Sequence, residues 1–337
     1  MAATIKEIAD KAKVSIATVS RALNDNIKVK SSTRLNILEI AKNLNYVPNA
    51  FARSLVKNDT KIIGLVLPDL EGEFFTEIFR GVDEVAYSEG FHTIVASSHG
   101  QRSIAEAVLN FMSESFVKGI IILIPVVSEQ IKQIINQSLI PIIVINAKNE
   151  IGGVDSVGID NYQGSFLMTE YLIKTLGYRK IAHIKGPLHN NDSVQRFKGY
   201  IDALKNYNVE CREDWIVNGN FNVFSGEQAC RRLLSLKEKP EVIFSGNDMM
   251  AIGCYRAAKS FGLSIPKDIG IAGFDDIFIA EFLSPRLTTV HVPISDIGKT
   301  SAGALLDRIN NPDGRDPRHV KIYTGLVICD SCRKIAD

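Results

Sequence analysis

Six residues near the amino terminus have the chemistry and the spacing to read a nucleic acid duplex. They lie on, or directly before, a helix predicted over residues 16–23, and they are Ser15, Ile16, Ala17, Thr18, Ser20 and Arg21. Arg21 can donate two hydrogen bonds to O6 and N7 of a guanine, while serine and threonine hydroxyls can hold phosphates. A cationic surface on an ordinary three-helix bundle would contain the same residue types, so the spacing alone leaves both interpretations open.

Three short helices would position this face. The first begins with a capping box, in which Thr4 and Glu7 satisfy each other's free backbone donors. Ser15 is a suitable N-cap for the second helix, and the third follows Ser31. The apolar face predicted for the third helix consists of Ile37, Leu38, Ala41 and Leu44. A helix, a short turn and a second helix within about 20 residues form the helix-turn-helix arrangement, whose second helix enters the major groove.

The charge of the chain is divided unevenly between its beginning and the rest. The net charge is +1, but residues 1–60 contain ten Lys and Arg against five Asp and Glu. The remaining residues contain 29 basic against 33 acidic side chains. A basic head on an acidic body is typical of a module that binds a polyanion and is attached to a separate domain.

A short segment after the three helices is predicted to depend on a partner. Pro48 interrupts the helical pattern, and residues 49–56 can form two further helical turns capped by Asn49. A helix of that length is marginal on its own in water. We therefore expect it to form only against another molecule, with residues 57–60 ending the linker.

From residue 61 onward, short apolar runs alternate with amphipathic stretches. The predicted strands are 62–67, 93–96, 119–124, 140–145, 180–184, 242–244 and 269–272. The predicted helices are 74–89, 103–116, 163–176, 193–207, 225–236 and 248–261. Apolar strands with helices between them indicate parallel sheets covered on both faces. The length allows two doubly wound lobes with a cleft at the carboxyl ends of their strands.

Several other classes of protein are disfavoured. No apolar run approaches the roughly 18 residues of a membrane span, and the first residues do not resemble a secretory signal, so we expect a cytoplasmic protein. Nucleotide-binding loops, a nucleophile elbow and a zinc-protease motif are all missing from the sequence, and the six histidines are scattered. We therefore expect no enzyme, metal or cofactor. The five cysteines, including Cys329 and Cys332 in a CxxC, are interpreted as incidental surface residues.

The residues of the head and of the body together resemble the lactose/galactose repressor (LacI/GalR) family. In the head the matching segments are Thr4-Ile-Lys-Glu-Ile-Ala-Asp-Lys-Ala, Val14-Ser-Ile-Ala-Thr-Val-Ser-Arg-Ala-Leu-Asn24 and Tyr46-Val-Pro-Asn-Ala-Phe-Ala-Arg-Ser-Leu55. In the body they are Ile63-Gly-Leu-Val-Leu-Pro-Asp69, Gly246-Asn-Asp-Met-Met-Ala-Ile-Gly253, Gly273-Phe-Asp-Asp276 and Pro285-Arg-Leu-Thr-Thr289. The series runs in order along essentially the whole chain.

The resemblance implies specific contacts with DNA. It implies base reading in the major groove by Ile16, Ala17 and Arg21, and phosphate contacts from Thr4, Ser15, Thr18, Asn24, Ser31, Tyr46 and Asn49. Residues 49–56, which include Ala52, match the hinge helix that the family pairs in the minor groove. Leu55 matches a leucine that wedges into the central base step, which bends DNA at the cost of unstacking. Packing of Leu55 on its dimer mate is the alternative, and both can hold.

The resemblance also implies a body like that of periplasmic sugar-binding proteins, closing on a ligand. The predicted effector-binding residues are Phe74, Phe75, Arg196, Phe221, Asn247 and Asp275. Each has a plainer interpretation: the phenylalanines as core, Arg196 as a solvated cation, and Asp275 or Asp248 as a helix N-cap.

The predicted function is a DNA-binding transcription regulator, a repressor, that acts as a homodimer on a pseudo-palindromic operator. Asn247 and Asn190 favour a sugar or sugar phosphate as effector, whereas residues 183–199 resemble the purine-responsive branch of the family. A ligand carrier or an enzyme on the same fold is the remaining alternative. The predicted domains are a helix-turn-helix head (1–47), a hinge and linker (48–60), a first lobe (61–161 with 293–322) and a second lobe (162–292 with 323–337).

Overall fold

The computed structural model describes residues 4–23, 29–44, 46, 60–113, 117–146, 151–312 and 316–335. The chain divides into two compact units, Met1–Thr60 and Lys61–Asp337. Within the described ranges, none of the helices has the length and apolar character needed to cross a bilayer.

The first unit contains three helices around a small apolar core. They are α1 (Ile5–Ala12), α2 (Ile16–Leu23) and α3 (Ser31–Asn43). The predicted capping box is confirmed, because Glu7 N donates to Thr4 Oγ1 and Thr4 N donates back to Glu7, each over 3.3 Å. Lys13, with a left-handed φ of 53°, ends α1 and makes the turn short.

Three isoleucine and valine side chains fill the centre of this core. Ile8, Val19 and Ile37 are fully buried, one from each helix. The prediction for Leu38 is wrong: its side chain is exposed, while Ile37 and Ala41 define the inward face of α3 and Ile40 packs beside them.

The second unit consists of two α/β lobes. The first lobe has strands β1 (Ile62–Leu67), β2 (His92–Ser97), β3 (Ile120–Leu123), β4 (Ile142–Ile145), β5 (Asp155–Ile159) and β11 (His319–Ile322). Its helices are α4 (Glu73–Ser88), α5 (Arg102–Ser113), α6 (Glu129–Gln137) and α11 (Ile294–Asn310).

The second lobe is built in the same way. Its strands are β6 (Ile181–Lys185), β7 (Ile216–Asn218), β8 (Val242–Ser245), β9 (Gly270–Asp275), β10 (Thr288–His291) and β12 (Gly325–Val327). Its helices are α7 (Asn161–Glu170), continued by a π-helical turn (Tyr171–Thr175), α8 (Asn191–Asn206), α9 (Val223–Leu234) and α10 (Asp248–Ser260). Two 3₁₀ turns, Glu213–Trp215 and Phe278–Phe282, complete it.

The two sheets have the same strand order. The first is β2-β1-β3-β4-β5-β11 and the second is β7-β6-β8-β9-β10-β12. All neighbours are parallel except β10 and β12, which are antiparallel. The chain passes between the lobes after β5, after β10 and after β11. The predicted fold class, a helix-turn-helix head with two doubly wound lobes, is confirmed.

The ends of the strands matter most for the cleft. The run predicted as 269–272 extends to Asp275, so that residue stands at the carboxyl end of β9. Strands β5, β7, β10, β11 and β12 and helices α6 and α11 were not predicted, because their apolar runs are short or interrupted by polar residues. The helix predicted over 103–116 is described from Arg102 to Ser113, and residues 114–116 lie outside the described residues.

Candidate functional site

The outer face of α2 presents the residues predicted to read bases. Ile16 is 49% exposed, and Ala17 and Arg21 are exposed as well, opposite the buried Val19 and Ala22. The face therefore offers small groups, one branched apolar side chain and one guanidinium, a set that can approach base edges closely.

The hydroxyls around α2 are partly occupied by local bonds. Ser15 Oγ accepts from Thr18 N over 3.2 Å, so Ser15 caps α2 as predicted. The same oxygen lies 2.9 Å from Thr18 Oγ1. Thr4 and Ser31 are exposed at the beginnings of α1 and α3, and Tyr46 packs half-buried on the head core. The predicted contacts Asn24, Asn49, Ala52 and Leu55, and with them the hinge helix, lie outside the described residues.

A cavity of about 410 Å³ lies between the two lobes of the body. The six side chains predicted to bind an effector all line it: Phe74, Phe75, Arg196, Phe221, Asn247 and Asp275. Phe74 and Phe75, in the first turn of α4, form an edge-to-face pair with ring centroids 5.5 Å apart. Both rings are half-buried and form an apolar surface on the side of the first lobe that faces the cavity.

Arg196 is the centre of the opposite wall. It is 4% exposed, which excludes the interpretation as a solvated cation. Its Nε donates to Asn161 Oδ1 over 2.8 Å and its Nη1 to the Gly246 carbonyl over 2.7 Å. The guanidinium carbon lies 3.7 Å from the centroid of the Phe274 ring, a cation–π contact. Burial of this cation is therefore compensated at several atoms.

Asp275 supplies the counter-charge. Its Oδ1 lies 3.0 Å from Nη2 of Arg196, an ion pair in which both side chains are almost fully buried. Oδ1 is itself shut off from solvent, and among the described residues it has no partner besides this ion pair. Burial raises the pKa of Asp275 to about 6, although the adjacent Arg196 opposes the shift. The ion pair thus places a buried carboxylate in the wall of the cavity.

Phe221 forms a second apolar surface close to Arg196. Its backbone has a left-handed φ of 56°, unusual for a residue with a bulky side chain, and its ring centroid lies 5.7 Å from the guanidinium. Gly186 makes room for this ring, because a Cβ atom there would stand 2.1 Å from it. The neighbouring Asn247 caps α10: its Oδ1 accepts from Met250 N, and its Nδ2 donates to the Phe221 carbonyl.

The helix-cap interpretations of the two aspartates are wrong. Asn247, not Asp248, is the N-cap of α10, and Asp275 belongs to β9. Asp248 is completely buried and accepts from Ile277 N and from Thr289 Oγ1. Burial, with the nearby Asp275, raises its pKa well above the usual range. Asp248 therefore holds the loop after β9, through Ile277, next to strand β10, through Thr289.

Two polar contacts that were not predicted join the lobes. Asp192, in the first turn of α8, accepts from Asn161 Nδ2 over 2.8 Å and from Asn146 Nδ2, across the cleft, over 2.9 Å. Glu73 of the first lobe accepts from the backbone N–H groups of Phe278 and Ile279 in the second. Glu73 could have been noticed in the sequence, because it directly precedes the predicted effector-binding residue Phe74. Asn146 and Asp192, by contrast, resemble ordinary surface residues in the sequence.

The cysteines and histidines are scattered through the body. Within the described ranges, no cluster of three or more His, Cys, Asp or Glu side chains is arranged to hold an ion. The interpretation of the cysteines as surface residues is wrong for three of the five, since Cys230, Cys254 and Cys332 are buried. His183 is also buried, between aromatic rings, and burial lowers its pKa to about 3.

Two family models match the chain, one on each unit. Residues 4–49 match the model described as bacterial regulatory proteins, lacI family. Residues 60–330 match the model described as periplasmic binding proteins and sugar binding domain of LacI family.

Similar proteins cover nearly the whole chain. The repressor named PurR of Yersinia enterocolitica is 35% identical over 99% of this chain and 97% of its own. A CelR regulator in complex with cellobiose is 28% identical, with a TM-score of 0.75 over 98% of this chain and 99% of that one. A ribose-bound LacI family regulator from Enterococcus faecium is also 28% identical, covering 82% of this chain and 100% of that one, with a TM-score of 0.72. The lac repressor dimer on its operator shares the fold, with a TM-score of 0.82 at 24% identity.

Proposed function

Because the chain belongs to the LacI family and is a DNA-binding repressor with a ligand-binding domain, we propose that a small metabolite in the interlobe cavity controls its affinity for one operator. The observation that carries the proposal is the convergence of six predicted side chains, from five separate segments, on one cavity that is also lined by a buried ion pair. Cavities of this size with few polar groups between apolar walls are typical of small-molecule sites.

The head is proposed to read DNA through α2. Ile16, Ala17 and Arg21 would contact base edges, and the exposed Thr4, Ser15 and Ser31 would contact phosphates. The exposure of this face, on a unit with a basic charge balance, supports the assignment. Thr18, Ser20, Tyr46 and the residues outside the described ranges (Asn24, Asn49, Ala52 and Leu55) stay in the proposed contact set.

Two copies of the chain are proposed to act together on a pseudo-palindromic operator. Exposed apolar side chains of the body support a homodimer: Phe278 is 63% and Phe282 72% exposed, and their rings form an edge-to-face pair with centroids 5.1 Å apart. A paired reader would mirror its two-fold symmetry in the DNA site. Binding to chromosomal DNA would place the protein in the cytoplasm.

Two classes of effector are supported by separate observations. The regulators solved with cellobiose and with ribose favour a sugar, which is the first candidate. The relatives named PurR favour a purine, and three flanking aromatic rings suit a flat heterocycle. Both candidates would occupy the same cavity and would donate to Asp275.

The DNA assignment is tested by fluorescence anisotropy with the protein's own upstream DNA and a scrambled duplex across a salt series. The wild-type protein should prefer the upstream DNA, and Arg21→Ala should lose about 1–3 kcal/mol of that discrimination while keeping nonspecific affinity. Lys42→Ala, which removes an exposed cation from the same head, serves as the matched control and should keep the discrimination. Equal loss on every sequence after Arg21→Ala would contradict base reading.

The effector assignment is tested in the same titration with sugars and purines added. One ligand should shift operator affinity several-fold, since coupling between two sites is typically ~1–3 kcal/mol. The same ligand should raise the melting temperature without being consumed. Consumption of the ligand would favour the enzyme alternative, and stabilisation with no change in DNA binding would favour a ligand carrier.

A further inference from the structure

Two cysteines of the second lobe face each other inside the protein. Cys230 lies on α9 and Cys254 on α10, and both side chains are completely buried. Neither cysteine is among the described residues that line the cavity between the lobes. A free buried cysteine usually behaves as a small apolar side chain. This pair differs because its two sulfur atoms meet at the contact between two helices.

Glycines let the backbones of these two helices approach closely beside the cysteines. A Cβ atom on Gly226 would stand 2.3 Å from the carbonyl oxygen of Met250, and one on Gly253 would stand 2.2 Å from a carbonyl oxygen of α9. Larger residues at these positions would force the close-packed helices apart. Cys230 lies one turn after Gly226, and Cys254 lies one turn after Met250 on the facing helix. The close approach of the helices therefore brings the two thiols together.

Each sulfur atom reaches the backbone of the other helix. Cys230 Sγ donates to the carbonyl oxygen of Cys254 itself over 3.8 Å, and Cys254 Sγ donates to the carbonyl oxygen of Gly226 over 3.9 Å. A hydrogen bond with Cys230, together with burial, raises the pKa of the Cys254 thiol well above its usual range. The two side chains therefore overlap along the helix contact, with the close approach that a disulfide between adjacent helices requires.

We propose that Cys230 and Cys254 are a reversible disulfide site, oxidised by hydrogen peroxide and reduced by small thiols, in which α9 and α10 keep their native packing. The Cys230 thiolate attacks one peroxide oxygen, which breaks the O–O bond and gives a sulfenic acid and hydroxide. The proton lost by Cys230 converts that hydroxide to water. The sulfur of Cys254 then attacks the sulfenic sulfur, and the S–S bond forms as the sulfenic oxygen leaves as water with the Cys254 proton. Two thiols and one peroxide thus give one disulfide and two waters.

The cross-link acts on the cleft wall that contains Phe221 and Asn247. Helix α9 begins at Val223, directly beyond Phe221, and α10 is capped by Asn247, whose Nδ2 donates to the Phe221 carbonyl over 3.2 Å. The thiol pair lies about two turns further along both helices, roughly 10 Å from this contact. A disulfide fixes the separation of the two helices. Oxidation therefore restrains this wall of the cleft from a position outside the cavity.

The first test uses the wild-type protein and hydrogen peroxide in native buffer. The remaining thiols are then alkylated in denaturant, and peptides are mapped by mass spectrometry without reduction. A peptide pair joined through Cys230 and Cys254 is expected, and dithiothreitol should restore both thiols. The exposed Cys211 should be oxidised without entering this cross-link. Alkylated Cys230 and Cys254 beside an oxidised Cys211, or a disulfide confined to Cys329 and Cys332, would overturn the proposal.

The second test asks whether the native packing selects the pair and survives the cross-link. Wild-type protein that is unfolded in urea and oxidised in the same way should lose the preference for this pair, because all five cysteines then compete. The folded, oxidised wild type should melt at a higher temperature than the reduced protein, since the cross-link closes the loop of residues 230–254 in the unfolded chain.

Three variants control the thermal measurement. Cys230→Ala and Cys254→Ala should each abolish the rise in melting temperature on oxidation, whereas Cys211→Ala, at an exposed thiol, should keep it. A melting temperature of the wild type that falls on oxidation would mean that the disulfide distorts the helices. That result, or an equal preference for the pair in folded and unfolded protein, would contradict a site prepared by the native packing.

Discussion

The two lobes of the body repeat one strand order, yet they contribute different chemistry to the cleft. The first lobe supplies the paired rings of Phe74 and Phe75 from the first turn of α4. The second supplies the buried ion pair of Arg196 and Asp275, together with the ring of Phe221. The first lobe thus provides a wall with paired aromatic rings beside Glu71 and Glu73, and the second a polar wall with a buried ion pair, although both come from the same doubly wound architecture. Function here depends on the residues at strand ends and helix starts, as expected for such folds.

Backbone conformation differs between the lobes as well. In the second lobe, Phe221, Asp275 and Asp276 all have positive φ values, of 56°, 113° and 57°. Such a conformation costs of order 1–3 kcal/mol for a bulky residue such as Phe221, whereas aspartate tolerates the left-handed region better. In the first lobe, His99 and Asn146 also have positive φ values, of 49° and 64°, but both are residue types that tolerate that region. Phe221 is therefore the strained residue of the cleft.

The largest effect is expected from removing the cation of the polar wall. Arg196→Ala would leave Asp275 buried without its counter-charge and Gly246 without its donor, at a cost of about 3–5 kcal/mol. Urea unfolding can be followed by the fluorescence of Trp215, the single tryptophan, which lies in the second lobe. Arg256→Ala, at a 64% exposed arginine paired with Glu227, should change stability by less than about 0.5 kcal/mol. If Arg196→Ala and Arg256→Ala lowered the free energy of unfolding by the same small amount, the buried ion pair would contribute no more to stability than a surface ion pair.

The sequence predicted part of this wall but not all of it. Continuous apolar runs predicted β1, β6, β8 and the core of β9, and the family resemblance implied six effector-binding side chains, all of which line one cavity. The partners of Arg196 were not predictable, because Gly246 contributes a backbone carbonyl and Asn161 is a polar residue at a helix start. Strand β5 was missed since Asp155-Ser-Val-Gly-Ile159 lacks an apolar run. Contacts between distant segments exist only once both sheets have formed.

A second prediction concerns the pH dependence that the polar wall imposes. The pKa of Asp275 is raised from 3.8 to about 6 in the folded chain, so the folded state binds its proton more tightly than the unfolded state. Its contribution to stability is present below about pH 4 and is lost as the pH rises through about 6, by at most ~3 kcal/mol. Asp275→Asn should reduce the fall in unfolding free energy between these limits. The fall that remains belongs partly to Asp248, whose pKa is raised too.

Urea unfolding of the wild type, Asp275→Asn and Asp276→Asn at a series of pH values checks this expectation. Asp276 forms its pair with His291 rather than with Arg196, so its variant should keep the wild-type slope. The groups that act on Asp275 are Arg196, which lowers its pKa, and Asp192, which raises it. If Asp275→Asn left the dependence of the unfolding free energy on pH unchanged, protonation of Asp275 would not be a source of that dependence.

A third prediction tests whether the strained position of Phe221 is needed. Gly186→Ala places a Cβ atom 2.1 Å from the Phe221 ring, so the ring must move away from Arg196. Overpacking of this kind costs about 1–3 kcal/mol, and effector affinity should fall with it. Gly303→Ala is the matched control, because this helical position on α11 has open space around it and should gain up to about 1 kcal/mol. An unchanged affinity in Gly186→Ala would remove Phe221 from the proposed site.

The smallest effect is expected at the contact that joins the two walls. Glu73→Gln replaces a carboxylate that accepts from the backbone N–H groups of Phe278 and Ile279 with a neutral amide, at a partly exposed position. The loss should be about 0.5–1 kcal/mol, which corresponds to roughly two- to fivefold faster hydrogen exchange at those two amides. Glu77→Gln, one turn further along α4 and paired with Arg80 of the same helix, should leave their exchange unchanged. If the two amides exchange at the same rate in Glu73→Gln and Glu77→Gln, Glu73 does not hold the lobes together. The contact between Asp192 and Asn146 would then be the one that joins them.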